Sequence, residues 1–330
     1  MTLIRGIDVS KWQPTVEWAK VRADGIAFAV PKASQATWQD ALFAKHWKGA
    51  KEAGLLRGAY HFYTPDAPPL KQLDAYSKAL GDDPGDLPPV LDIECKTTNP
   101  AQLAKDTLVW LTEAEKRFGR KPLIYTAAWY WNPTMLIGGK YPEWAADYQL
   151  WVAAYPVSTG APSLDDLAAG KYKALLPKSW TDYALWQYSE KGRVDGVATN
   201  GKPANTDLNI YRGTLENLAH WLGKDPAALA DLPVFEPMVS FALEAEPAEG
   251  SYGDASETAG RSAHAAEAAR GRTTAKKPAA GRGGRRTAPK KPAAKKPAPK
   301  KKPAAKKPAA KKKPAAKKKP AAKKPAARRK

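Results

Sequence analysis

Two carboxylates end an otherwise apolar run, Pro-Pro-Val-Leu-Asp-Ile-Glu at residues 88–94. If this run is a β-strand, Asp92 and Glu94 share one face and lie about 6.6 Å apart along the backbone, at about 3.3 Å per residue. Two like charges in one buried site raise the pKa of one acid, so that one carboxyl keeps its proton while the other stays charged. Glycoside hydrolysis requires that division of roles. Taken alone, the motif is equally consistent with solvated acids at a strand end or with a structural salt bridge.

Two further acids occur at comparable positions. Asp8 lies near the end of the first predicted strand and Asp207 lies at the last one. Asp8 by itself is also consistent with a turn cap. In an α/β barrel the chemically active groups sit where the βα loops open, at the carboxyl ends of the strands. Four acids at one end of different strands therefore indicate a carboxylate site, and without His or Cys beside them we predict no metal and no other cofactor.

The elements that would position these acids alternate between short apolar runs and helical patterns over the first 215 residues. This alternation is typical of βα units around a parallel sheet, and eight runs predict an α/β barrel of the TIM-like kind. The predicted strands are Leu3–Val9, Gly25–Lys32, Leu56–Phe62, Pro89–Glu94, Pro122–Ala127, Gln149–Ala154, Tyr183–Tyr188 and Asp207–Tyr211.

Apolar spacing also predicts helices between and after the strands, and a glycine follows each of them. These helices are Thr37–Ala53, Leu70–Leu80, Ala101–Phe118 and Leu215–Leu222. Residues 129–148 and 156–180 are rich in Pro, Gly and Trp, so we expect fewer regular helices there. The barrel is therefore predicted to be complete in strands and irregular in its last units.

Three segments differ in composition. All 12 Trp lie between Trp12 and Trp221, so residues 1–224 are predicted to form one barrel domain. Residues 225–270 are predicted to be a linker, mostly disordered, and residues 271–330 a disordered cationic tail. The tail holds 26 Lys and Arg with 10 Pro and no acid; proline blocks a helix and the charge blocks collapse. Subtracting the tail from the net charge of +21 leaves −5 on residues 1–270.

Several protein classes are excluded by composition. No run of about 18 apolar residues occurs, so we predict no transmembrane helix. The single cysteine, Cys95, excludes an intramolecular disulfide framework and a multi-cysteine zinc site. The first residues run directly into a predicted strand without a cleavable leader, so we expect synthesis in the cytoplasm. We also expect a monomer.

Five short motifs occur in the order that is characteristic of one enzyme family. They are Gly-Ile-Asp-Val-Ser at 6–10, Gly-Ala-Tyr-His-Phe at 58–62, Leu-Asp-Ile-Glu at 91–94, Trp-Gln-Tyr-Ser at 186–189 and Asp-Leu-Asn at 207–209. Over about residues 3–213 the chain resembles family 25 of the glycoside hydrolases, the Chalaropsis-type lysozymes. The resemblance implies a flattened barrel that hydrolyses the β-1,4 bond between N-acetylmuramic acid and N-acetylglucosamine in peptidoglycan.

The resemblance also implies roles for the acids. Glu94 matches the general acid and Asp92 matches its partner carboxylate, while Asp8 and Asp207 match the other acids of the site. The family is usually treated as retaining. Asp92 would then either attack the anomeric carbon or orient the substrate's own acetamido group as it attacks; we favour the second route.

Aromatic residues near the strand ends are candidates for sugar stacking, although each alone is more often a core residue. The candidates are Tyr60, Phe62, Tyr125, Trp129 and Trp186. We prefer Tyr60 and Trp186, because both lie in matching motifs. His61 faces away from Tyr60 and is expected to be a packed histidine.

One segment departs from the family pattern. The usual Phe-Ile-Lys-Ala-Thr-Glu-Gly is here Val-Pro-Lys-Ala-Ser-Gln-Ala at 30–36. Lys32 is kept as a candidate substrate-binding residue, but the acid and the glycine are replaced. Pro31 lacks a backbone donor, so we expect a reshaped strand end and altered binding of neighbouring sugars.

The tail resembles those of linker-histone-like proteins, and 26 cations bind polyanions through counterion release. Nucleic acid, the anionic polymers of a Gram-positive wall and lipopolysaccharide all fit. We favour a tether that holds the enzyme on the anionic envelope; a merely solubilising tail is the alternative. The missing leader favours a phage endolysin released to the wall over a bacterial lytic enzyme.

Two rival functions predict different outcomes. A polyanion- or nucleic-acid-binding protein with an inactive barrel would keep its role after Glu94→Gln. A barrel glycosidase acting on chitin or another amino-sugar polymer would leave peptidoglycan strands intact.

Overall fold

Eight strands close into a barrel within residues 1–237, the part of the chain that this computed structural model describes. The strands are β1 (Leu3–Val9), β2 (Ile26–Gln35), β3 (Tyr60–Phe62), β4 (Val90–Asp92), β5 (Leu123–Ala127), β6 (Gln149–Ala153), β7 (Leu185–Gly192) and β8 (Thr206–Arg212). β1 pairs with β2 on one side and with β8 on the other, which closes the sheet. The predicted α/β barrel of eight strands is confirmed.

The last strand runs against the others. β1 to β7 are parallel to their neighbours, whereas β8 is antiparallel to both β7 and β1. A parallel return needs a long crossover, usually a helix. Here the connection carries only the short strands Val197–Thr199 and Lys202–Pro203, which pair with each other; Val197–Thr199 also pairs with Thr15–Val16. The predicted parallel sheet therefore includes one antiparallel strand, β8.

Seven α-helices and two 3₁₀ helices lie among the described residues. They are α1 (Trp18–Ala23), α2 (Phe43–Glu52), α3 (Pro69–Leu80), α4 (Pro100–Phe118), α5 (Ala128–Thr134), α6 (Leu164–Ala168) and α7 (Leu215–Leu222), with 3₁₀ turns at Glu143–Asp147 and Pro226–Leu229. The last connections hold only short helices, as predicted. No helix in this part of the chain is long and apolar enough to cross a membrane.

The helix predicted from Thr37 begins only at Phe43. Trp38 and Gln39 form a short strand that pairs antiparallel with Gln35 and Ser34 at the end of β2. Pairing with a neighbouring strand thus overrides the local helical spacing. This short strand places the Trp38 ring, which is 41% exposed, at the rim of the barrel.

The strands present alternate residues to the inside of the barrel and to the helices outside. His61, on the outward face of β3, stacks on Trp110 of α4 and hydrogen-bonds through its two ring nitrogens to Ser34 and Gln72. Burial lowers the pKa of His61 to about 3. His61 is therefore a packed histidine, as predicted.

Packed structure continues beyond residue 224, the predicted end of the domain. Leu229 is buried, and Phe235 exchanges two backbone hydrogen bonds with Leu3 of β1, of 2.9 and 3.0 Å. The start of the predicted linker thus pairs with β1 and packs as part of the barrel domain. The rest of the linker and the whole 271–330 tail lie outside the described residues.

Candidate active site

Asp8 and Asp207 lie directly opposite each other on neighbouring strands. They are paired in the register of β1 and β8, so their side chains share the inner face. Because β8 is antiparallel, Asp207 stands near its beginning and still reaches the same rim as Asp8 near the end of β1. Both side chains are buried.

Asp92 ends β4 and Glu94 follows two residues later. In the parallel register Asp92 lies between Phe62 of β3 and Tyr125 of β5, so these three side chains face the barrel interior together. The backbone around Ile93 is held by Tyr125, whose carbonyl accepts its N–H at 2.9 Å. Asp92 and Glu94 are both buried. Because β4 ends at Asp92, the shared face of Asp92 and Glu94 stays a prediction.

Asp8 is held by two amide side chains. Its Oδ2 accepts hydrogen bonds from Gln187 Nε2 at 2.9 Å and from Asn209 Nδ2 at 2.8 Å. Both donors come from the centre of buried strands, β7 and β8. An oxygen that receives two N–H donors must act as an acceptor, so the position and role of this carboxylate oxygen are fixed.

Three aromatic side chains orient those amides in turn. Gln187 Oε1 accepts from the hydroxyls of Tyr125 at 2.8 Å and Tyr155 at 2.6 Å. Asn209 Oδ1 accepts from Trp151 Nε1 at 2.8 Å. We call the six side chains of this hydrogen-bonded set the Asp8 network: Asp8, Gln187, Asn209, Tyr125, Tyr155 and Trp151.

Burial and the charges around them raise the pKa values of the two tyrosines in the Asp8 network. Burial is the main cause that raises the pKa of Tyr125 well above its usual value, and the charges of Tyr155, Glu94, Asp92 and Asp8 add to it. Burial likewise raises the pKa of Tyr155, with further contributions from Asp207, Glu190, Glu94 and Asp8. All four predicted acids therefore lie around one end of the barrel.

Four members of the Asp8 network were not predicted as site residues: Gln187, Asn209, Tyr155 and Trp151. The rule that paired Asp92 with Glu94 also pairs Asp207 with Asn209, because residues two apart on a strand share a face. A polar side chain such as Gln187 in the middle of a buried strand is a second usable indication.

The structure does not bring Trp186 to this site. Strand alternation turns it outward when its neighbour Gln187 faces inward. Its Nε1 donates to the Ala154 carbonyl at 2.6 Å, and its ring meets those of Tyr183 and Tyr188 edge-on. The prediction that Trp186 contacts substrate is therefore not supported by its placement.

The other predicted binding residues that lie on strands do face the barrel interior. Tyr60 meets Trp151 edge-on, with ring centroids 6.5 Å apart. Lys32 is fully buried; its Nζ lies 4.7 Å from the ring centroid of Phe62 and donates to Gln35 Oε1 at 2.6 Å. Trp129 lies at the start of α5 and is 37% exposed.

The strand continues through Pro31 to Gln35, and the backbone is unusual only at the residue that follows it. Ala36, at the position of the family's glycine, has a φ of 47°. Residues with a Cβ adopt this left-handed conformation at a cost, whereas glycine adopts it freely. Gln35, at the position of the family's acid, provides a neutral oxygen for Lys32. Among the described residues no group of three or more His, Cys, Asp or Glu is placed to hold a metal ion.

Comparisons with known proteins agree with this geometry. Residues 7–197 match the family described as "Glycosyl hydrolases family 25". The Escherichia coli K12 protein "Uncharacterized protein YegX" is 35% identical over 224 residues, which cover 65% of this chain and 72% of that protein. "Lysozyme M1" of Streptomyces globisporus is 32% identical over 227 residues, covering 65% and 70%.

A solved structure shares the same barrel. The bacterial lysozyme from Streptomyces coelicolor aligns with a TM-score of 0.54 and 29% identity, over 66% of this chain and 96% of that one. The family match covers more than half of the chain and includes Asp8, Asp92 and Glu94. The chain belongs to family 25 of the glycosyl hydrolases.

Proposed function

We propose that the barrel is a muramidase, which hydrolyses the β-1,4 bond between N-acetylmuramic acid and N-acetylglucosamine in peptidoglycan. The observation that carries the proposal is the convergence of Asp92 and Glu94 on the barrel end where Asp8 is held by two amide donors. Membership of the family and the similarity to Lysozyme M1 support the substrate.

In this proposal Glu94 is the general acid that protonates the leaving oxygen of the glycosidic bond. Asp92 orients and stabilises the substrate's acetamido group, whose oxygen attacks the anomeric carbon and forms a cyclic intermediate. Water then opens that intermediate, and Glu94, now ionised, takes the proton of the water. Asp8 and Asp207 line the opposite side and favour the positive charge that develops on the sugar ring.

Product stereochemistry tests this route. Two successive displacements at the anomeric carbon retain its configuration, so NMR of fresh products from a defined oligosaccharide should show the β-anomer first. Clean inversion would contradict substrate assistance. A covalent glycosyl-Asp92 species, trapped in the intact protein and detected by mass spectrometry, would favour the alternative route.

The role of Glu94 is tested by Glu94→Gln. Loss of a general acid typically lowers the rate by about 10²–10⁴-fold, so turbidity reduction of purified walls should almost disappear. Glu143→Gln, an exposed acid on the 3₁₀ turn Glu143–Asp147, is the matched control and should keep wild-type activity. Full activity of Glu94→Gln would contradict the assignment.

We further propose that the 271–330 tail tethers the enzyme to anionic polymers of the envelope. The 26 cations support this proposal, since each phosphate or carboxylate contact releases counterions. The pairing of Phe235 with Leu3 indicates that a truncation should end at residue 237 rather than 224. Wall binding of the full chain should fall steeply with salt, whereas the truncated chain should bind weakly at every salt concentration.

Equal wall binding and lysis by both forms would contradict the tether. Binding of the full chain to DNA with no preference for walls would instead favour nucleic acid as the partner of the tail. The cell wall as the place of action follows from the proposed substrate, with the tail acting after the protein has reached it.

A further inference from the structure

Cations and aromatic rings alternate from the barrel interior to its rim. Lys32 Nζ lies 4.7 Å from the ring centroid of Phe62 and 5.8 Å from that of Trp38. Lys11 Nζ lies 5.1 Å from the Trp38 ring and 5.2 Å from the Trp12 ring. We call these five side chains the rim row: Phe62, Lys32, Trp38, Lys11 and Trp12.

The inner end of the rim row adjoins the predicted catalytic acids. Phe62 of β3 is in register with Asp92 of β4, on the same inner face. The outer end follows the carboxyl ends of β1 and β2, where Trp12 and Trp38 stand. The rim row therefore leads from the bond-cleaving end of the barrel to the surface along the β1–β2 side.

The outer rings are accessible although tryptophan is costly to expose. Trp12 is 46% exposed and Trp38 is 41% exposed, whereas Trp110, Trp131, Trp151 and Trp186 are fully buried. Exposed aromatic surface next to a site indicates a binding surface. A flat ring with a negative face attracts the C–H groups on the face of a sugar.

The loops that carry these rings are fixed. Asp40 accepts the backbone N–H groups of Lys11 at 3.2 Å and Leu42 at 2.9 Å, which joins the loop after β1 to the loop after β2. The Thr199 hydroxyl donates to the Trp12 carbonyl at 3.2 Å. The backbone that carries the rings is thus held in place before a ligand arrives, which lowers the entropy lost on binding.

The two lysines set the charge of the row. Four acids surround the cleavage end, whereas the side chains that alternate with the rings of the rim row are lysines; the buried Asp40 carboxylate lies beside the backbone of Lys11. A neutral sugar polymer would gain from the rings alone. A glycan that carries a carboxylate would gain from the lysines as well, because an ammonium group binds a carboxylate through charge-assisted hydrogen bonds.

We propose that the rim row is an extended binding site for carboxylate-bearing sugar units of the glycan strand, beyond the cleaved bond. This inference rests on the proposed muramidase function. In peptidoglycan the carboxylate belongs either to the lactyl group of muramic acid or to the peptide attached to it. Trp12 and Trp38 provide the stacking surfaces and Lys11 pairs with the carboxylate.

The test uses full-length variants Trp12→Ala, Trp38→Ala and Lys11→Gln, with Lys171→Gln as the control. Lys171 is also placed over a ring, 5.8 Å from the Tyr172 centroid. Gly170, which precedes Lys171 in the sequence, lies near Met1. Met1 comes just before β1, so Lys171 lies at the opposite end of the barrel from the rim row. Substrates are glycan strands of several disaccharides, with stem peptides, without them, and without them after reduction of the lactyl carboxylate to an alcohol.

Each Trp variant should raise KM on all three strands by roughly threefold to tenfold, with kcat changed by less than about twofold, because the lost contacts are the same in substrate and transition state. Lys11→Gln should raise KM roughly threefold on carboxylate-bearing strands and leave the reduced strand unaffected. An effect on peptide-free strands assigns the lactyl group, and an effect confined to peptide-bearing strands assigns the peptide. Lys171→Gln should match the wild type.

Unchanged KM values in all three variants of an active enzyme would overturn the inference and leave the muramidase proposal intact. An equal effect of Lys11→Gln on reduced strands would overturn carboxylate recognition. A wild-type chain that cleaves none of the strands would overturn the proposed function itself. Thermal unfolding of each variant is measured in parallel; should a Trp variant unfold early, the surface change Lys11→Gln decides.

Discussion

The two sides of the barrel mouth hold their charged groups by different means. On the β7–β8–β1 side, the Asp8 carboxylate is fixed by directional hydrogen bonds from Gln187 and Asn209. On the β2–β3 side, the Lys32 ammonium lies against the ring of Phe62 and donates to the neutral Gln35. Directional bonds fix an atom to within tenths of an ångström, as bond cleavage needs. The ring face of Phe62 adds a less directional contact to the hydrogen bond between Lys32 and Gln35, and such ring contacts suit the binding of a sugar chain.

The largest expected effect comes from breaking the directional side. Gln187→Leu removes one donor to Asp8 and also the amide oxygen that accepts from the hydroxyls of Tyr125 and Tyr155. We expect kcat to fall on the order of 10²-fold, as for a misplaced reacting group, and the free energy of unfolding to fall by about 1–3 kcal/mol. Steady-state kinetics and urea unfolding measure both.

The preceding residue of β7 provides the control. Trp186→Phe loses the hydrogen bond to Ala154 on the outward face and should cost stability alone, about 1 kcal/mol. A fall in kcat for Trp186→Phe as large as that for Gln187→Leu would show that general disturbance of β7, rather than the Asp8 network, controls activity.

The opposite side should respond in KM. Lys32→Met keeps a long apolar stem over Phe62 but removes the charge, so we expect KM for peptidoglycan strands to rise about tenfold with little change in kcat. Kinetics on soluble strands measure this. A fall in kcat alone would mean that Lys32 takes part in bond cleavage. It would contradict the proposed difference between the two sides of the barrel mouth.

The buried histidine on the outward face of β3 should make the stability of the protein depend on pH. Burial lowers the pKa of outward-facing His61 to about 3, against about 6.5 for an unfolded histidine. Because only the unfolded chain takes up the proton in this range, the stability from neutral His61 is complete above about pH 6.5 and is lost as the pH falls toward 3. His46, whose pKa burial lowers to about 4, acts in the same direction.

Urea midpoints measured between about pH 7.5 and pH 4 should therefore decrease, since protons bind preferentially to the unfolded chain. His61→Phe should flatten this dependence in part, although it lowers stability at neutral pH by removing the bonds to Ser34 and Gln72. Exposed His220→Gln is the control and should keep the wild-type slope. An unchanged slope in His61→Phe would contradict the buried neutral state.

The smallest effect concerns the backbone beside Lys32. Ala36→Gly should raise the free energy of unfolding by about 1 kcal/mol, because glycine tolerates a φ of 47° without the steric cost of a Cβ. Ala101→Gly, an exposed site in the first turn of α4, should lower it by up to about 1 kcal/mol. Chemical denaturation checks the opposite signs; two losses of stability would mean that Ala36 is not strained.

Much of the site follows from strand alternation and the open end of a barrel. Asp92 and Glu94 were predicted to share a face because they are two residues apart, and the same rule extends from Asp207 to Asn209. The rule does not say which of two neighbours faces inward, and this is why Trp186 was placed at the site when Gln187 occupies it. A sequence motif identifies candidate residues, but the register of the neighbouring strands decides which of them face the barrel interior.

The segment after β2 is a second place where the sequence did not predict the structure. Trp38, Leu42 and Trp47 have helical spacing, yet Trp38 pairs with Gln35 and the helix begins at Phe43. Hydrogen bonds to a strand already in the sheet decide the backbone there, and local spacing does not contain them. The direction of β8 is likewise not contained in its local spacing. It follows from the connection between β7 and β8, which has no helix to carry the chain back for a parallel strand.

Mass analysis of the products from purified peptidoglycan, treated with the full-length protein, tests whether the barrel is a muramidase. Fragments with reducing ends at muramic acid are expected, and about 10²–10⁴-fold less product with Glu94→Gln. Intact glycan strands after wild-type treatment, or product formation by Glu94→Gln at the wild-type rate, would contradict this expectation.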